Sequence, residues 1–98
     1  MSGYHSLRGI KKDINYVIGA FVDDCTMFLE YHPGLENDDV SNLIDEAVDL
    51  YNNLRDKVAA PVEGAKRAHF DAVRKELLEK TDALYDRLSV AVKKSLGE

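Results

Sequence analysis

The sequence predicts an all-α protein, a three-helix up-down-up bundle with a long third helix. Two observations carry this. Apolar residues recur at three- and four-residue spacings along most of the 98 positions, the signature of helices with one buried face. The two prolines, Pro33 and Pro61, each stand where one such run stops and the next begins. Proline lacks an N–H and clashes with the preceding turn, so it sits at helix starts and in connections. No stretch shows the two-residue alternation of a strand.

The first helix is predicted over 7–31. Ser6 is its candidate N-cap, because its hydroxyl can accept from an orphan N–H of the first turn. Ile14, Ile18, Phe21, Cys25 and Phe28 make its seam, with Ile10, Val17, Val22 and Leu29 widening it. Gly19 lies mid-helix, where it would let a neighbouring helix come close. The residue before proline is pushed out of helical angles, which ends the run at Tyr31 or His32.

The second helix is predicted over 38–59. Asn37 is its candidate cap, and Asp38 and Asp39 put negative charge on the positive end of its dipole. Val40, Leu43, Ala47, Leu50 and Leu54 form the seam, flanked by Ile44, Tyr51 and Val58. Asp45, Glu46, Asp49 and Asp56 point mostly the other way, so this helix has an acidic outer face.

The third helix is predicted over about 62–95, beginning at Pro61 or soon after Gly64, with Phe70, Val73, Leu77, Thr81, Leu84, Leu88 and Ala91 as its stripe. Glu63 with Arg67, Asp71 with Lys75 and Glu76 with Lys80 are acid-to-base pairs four residues apart, each contributing a few tenths of a kcal/mol in a helix. No glycine or proline interrupts the run, so it is expected to continue through Thr81. The expected core is Ile14, Ile18, Phe21, Cys25, Phe28, Leu43, Ala47, Leu50, Leu54, Phe70, Val73, Leu77 and Leu84.

Residues 1–98 make one domain. The net charge of −5 argues against nucleic acid as the main partner, since phosphate binding needs a basic face. With Cys25 as the single cysteine there is no internal disulfide. No apolar run reaches the roughly 18–20 residues of a membrane span. The first residues lack the basic-then-apolar layout of a signal peptide. The expectation is a cytoplasmic protein that binds neither membrane nor nucleic acid.

Motifs that carry chemistry are scarce. His5-Ser6-Leu7-Arg8-Gly9 resembles the H-x-L-[K/R]-G motif of histidine phosphotransfer domains, in which a histidine on a helical bundle accepts a phosphoryl group. The resemblance implies His5 as phosphoacceptor, Arg8 as electrostatic support for the phosphate and Gly9 as room for the incoming partner. It covers five residues, and the family sets its histidine mid-helix, whereas His5 stands at the start of this chain. No Glu-x-x-His pair or zinc-type spacing suggests a metal, and no phosphate loop, nucleophile elbow or dinucleotide fingerprint suggests a cofactor. Cys25 lies on the first helix's seam, where burial makes a thiol inert. No catalytic residue is assigned and no cofactor is expected.

Helix length points elsewhere. At 1.5 Å per residue the helices run to roughly 37, 33 and 50 Å, so the third should project beyond its neighbours by roughly 12–17 Å at its C-terminal end. Leu84, Tyr85, Leu88 and Val92 would then stand in water, and an apolar stripe of that kind marks an interface. The leading expectation is a non-enzymatic module that associates through these residues with itself, as a homodimer, or with another helical protein. A phosphotransfer-like or ligand-sensing bundle built on His5 is the alternative.

Overall fold

The computed structural model describes residues 7–33 and 38–97. Among them are three helices, α1 (Leu7–Tyr31), α2 (Asp38–Ala59) and α3 (Lys66–Ser95), and no strand. All three helix pairs are in contact, as a bundle requires. The expected caps Ser6 and Asn37 lie outside the described residues.

The first two helices have the predicted bounds, and the third starts at Lys66, the later of the two predicted starts. Gly64 is the reason. Its φ of +88° lies in the left-handed region, which no right-handed helix can contain. Ala65 follows in an extended conformation and begins the helix without a side-chain cap. Pro61 and Glu63 therefore belong to the connection, and Glu63 cannot form an intrahelical pair with Arg67. The Glu76–Lys80 pair does form, at 3.2 Å. α3 is unbroken through Thr81 and ends where the Gly97 N–H donates to the Lys94 carbonyl, with Gly97 at φ +79°.

Side-chain pairs fix the registers. Arg74 meets Asp13 and Tyr85 meets Asp24, so α1 and α3 run parallel with a constant offset of 61 residues. Lys57 pairs with Glu76, Arg87 with Glu46 and Lys94 with Asp39, which sets α2 antiparallel to α3. Arg55 reaches Asn15 across the α1·α2 groove.

These registers correct the expected overhang. The C-terminal third of α3 lies level with the second half of α1 and the first half of α2. The excess length of α3 falls instead at its N-terminal end, beyond the end of α2. The 60–65 connection carries the chain past Ala59 before α3 begins, so α3 starts below α2 rather than beside its last turn.

The core runs the length of the bundle. Ile10, Ile14, Phe21, Cys25, Val40, Ala47, Leu54 and Leu77 are fully buried, and Ile18, Leu43, Leu50, Val58, Phe70, Val73, Leu84 and Ala91 nearly so. Twelve of the thirteen expected core residues are thus buried. Phe28 is the exception. It is half-buried at the end of α1, with its ring against His32 at 4.7 Å between centroids. Gly19 also departs from expectation: a Cβ there would meet nothing within 4 Å, so it marks no close helix approach.

Candidate functional site

The stripe Leu84, Tyr85, Leu88 and Val92 does not stand in water. Leu84 is buried, the other three are half-buried, and Tyr85 and Leu88 pack on the core. The Tyr85 ring meets Phe21 edge-on, with centroids 4.9 Å apart and planes at 89°. Its hydroxyl donates to Asp24 at 2.8 Å. Burial of the ring and this bond to a carboxylate push the phenol up to about 12, so it keeps its proton. The premise that these residues are uncovered fails, because the parallel register lays α1 over them.

The exposed apolar side chains lie along the outer edge of the same groove. Asp13 and Asp24 mark the side of α1 that faces α3. Met27 and Tyr31 follow Asp24 by three and seven residues and so share that side. Arg74 and Tyr85 mark the side of α3 that faces α1. Leu78 follows Arg74 by four residues, and Leu96 follows Tyr85 by eleven, three full turns. Tyr31 is 74% exposed, Met27 52%, Leu78 50% and Leu96 43%. The 61-residue offset sets Tyr31 beside Val92, so Met27, Tyr31, Val92 and Leu96 gather near one end, with Leu78 nearer the middle. A signal for the α1 half was present in the sequence: Met27 and Tyr31 are large apolar residues four apart, off the seam. Tyr16, 77% exposed, precedes Met27 by eleven residues and so lies on the same side of α1, level with Leu78, whereas Val48 and Val90 each stand singly on another face, which is ordinary for a protein surface.

The α2·α3 groove is different in kind. It is a shallow trough of about 720 Å³ bordered by Asp39, Asp45, Glu46, Asp86, Arg87 and Lys94. Its bases are engaged by its acids. Arg87 grips Glu46 with two hydrogen bonds, at 2.5 and 2.6 Å, and Lys94 approaches Asp39 at 3.5 Å. The Arg87 bonds hold the Glu46 carboxyl below the usual carboxylate range. Further along, the Lys57 ammonium at 2.6 Å does the same to Glu76.

The remaining candidates are placed plainly. Cys25 is fully buried, and burial, with Asp24 nearby, pushes its thiol up to about 11, so the nucleophilic thiolate does not form near neutrality. His69 is half-buried, and its Nε2 lies 2.9 Å from the Lys57 carbonyl, closing the end of α2. His32 stacks on Phe28. His5 lies outside the described residues. Among the described residues, no group of three or more His, Cys, Asp or Glu is placed to hold a metal, and no helix is long and apolar enough to cross a membrane.

No family model, curated protein or solved structure matches the chain.

Proposed function

We propose that the chain is a non-enzymatic association module that binds helical surfaces through the strip along the α1·α3 groove. One observation carries the reading: Met27, Tyr31, Leu78 and Leu96 are at least 43% exposed on one face, while a complete core lies beneath them. Side chains that the core does not need, and that face water on one side of a bundle, are available to a partner. Tyrosine and methionine are the residue types that interfaces favour. The partner is a second copy or another helical protein.

The test uses the exposed residues. Leu88 is packed on the core, so Leu88→Glu would probe folding as much as association. The variant of choice is Met27→Glu with Tyr31→Glu. Wild type is expected to gain mass between about 10 μM and about 500 μM by light scattering, and the double variant to remain monomeric. The variant's stability should stay within about 1 kcal/mol of wild type, because exposed positions contribute little to folding. Self-association that survives the double substitution would overturn the assignment of the strip. A large loss of stability would show that these residues serve the fold.

A further inference from the structure

The charges are sorted along the bundle axis. The molecule extends 50 × 19 × 18 Å. The end that holds the start of α1, the end of α2 and the start of α3 carries ten basic and six acidic residues among those described. The opposite end carries three basic and ten acidic. One half is therefore net +4 and the other net −7. On the strip's own face, Lys12, Arg67 and Lys75 lie exposed toward the basic end with one acid, Asp71, among them, and Asp23, Asp24 and Asp82 toward the acidic end with one base, Lys93.

We propose that the α1·α3 strip is closed by a second copy of this chain lying antiparallel, its basic half against the acidic half of the first. The proposal rests on the association reading above and names the occupant and its direction. Two geometric facts select side-by-side packing. An end of the bundle offers only roughly 340 Å², while a long face offers roughly 900 Å², about the 800 Å² per partner that a stable interface buries. A two-fold axis perpendicular to the bundle brings the same strip of both copies together, as a self-complementary interface must. Charge then selects the direction. A parallel pair would set the two net-negative ends side by side, whereas an antiparallel pair sets each against a net-positive end. The strip supplies the apolar contact, and the charge gradient supplies orientation and a dependence on salt.

Spin labels at the two ends of α3 test the direction in the full-length chain. Lys93→Cys and Ala68→Cys place them at exposed sites, and the buried Cys25 stays unlabelled. In the antiparallel dimer, two copies labelled at position 93 hold their labels far apart, by much of the 50 Å length. A mixture of copies labelled at 93 and at 68 brings unlike ends closer together than like ends. The dissociation constant should rise on the order of ten-fold between about 50 mM and about 500 mM salt. Like-end labels lying close would show a parallel pair and overturn the proposal while leaving the association reading intact. Affinity that ignores salt would do the same. A chain monomeric at about 500 μM in low salt would overturn the proposal and the self-association arm of the reading together.

Discussion

Truncating Phe21 to Ala tests the core where its loss can be worked out best. Phe21 is fully buried midway along the α1 seam, and its ring meets Tyr85 edge-on. Removing a buried phenylalanine costs about 3–5 kcal/mol, as lost burial plus the cavity left behind. Of this, about 0.5–1.5 kcal/mol belongs to the aromatic pair. A domain of this size has about 5–15 kcal/mol in total, so the variant should keep a folded state with a much reduced margin. Each kcal/mol shifts Tm by about 4–8 °C at this length, which gives a fall of roughly 12–40 °C. Urea unfolding followed by circular dichroism reads the same loss as a lower midpoint with the slope nearly unchanged. Phe21→Leu keeps most of the volume and should cost about 1–2 kcal/mol. Tyr16→Ala, at a site 77% exposed, should stay within about 0.5 kcal/mol. A Phe21→Ala cost below about 1 kcal/mol, alongside an equal effect at Tyr16, would refute the assignment of this face to the core.

Two further outcomes follow from buried polar groups. The Thr81 hydroxyl is buried and finds no hydrogen-bond partner among the described residues, so Thr81→Val should raise stability by about 1 kcal/mol in urea unfolding. A loss of that size would show that the hydroxyl is paired in solution. Cys25 and Tyr85 are acids whose folded values, about 11 and about 12, exceed the ordinary 9.0 and 10.0. The unfolded chain gives up these protons first, so stability should fall as pH rises above about 9, with Cys25 alone contributing about 2–3 kcal/mol by pH 11. A urea midpoint that is flat from about pH 8 to about pH 10.5, or a Cys25→Ala variant with the same slope as wild type, would contradict this.

Local chemistry was legible in the sequence wherever it acts through near neighbours. Pro33 and the residue before it end α1 where steric exclusion requires. The three- and four-residue spacings of Ile14 through Cys25 and of Val40 through Leu54 name the buried faces of α1 and α2. Gly64 was harder to read. The sequence leaves the start of α3 open between Pro61 and the residues after Gly64, and only the backbone, with Gly64 at φ +88°, decides for the later start at Lys66.

That later start bears on where the surface lies. Helix length says that α3 must outrun its neighbours, but not at which end. The end is decided by the path of the 60–65 connection and by cross-bundle pairs such as Asp13–Arg74 and Glu46–Arg87, which join residues 61 and 41 positions apart. Periodicity carries no information about contacts at such separations. The sequence reading therefore set in water residues that the fold packs against α1. Tyr85 and Leu88 line the floor of the groove between α1 and α3, and Met27, Tyr31, Leu78 and Leu96 form its rim. The seam of a three-helix bundle is defined toward the two other helices at once, so a residue at the edge of a stripe is core or surface according to how closely the third helix lies over it. Here α1 covers the inner edge of α3 and leaves the outer edge open. The proposed association is assigned to this face because the groove between α2 and α3 is bordered by acids and by bases already engaged with them.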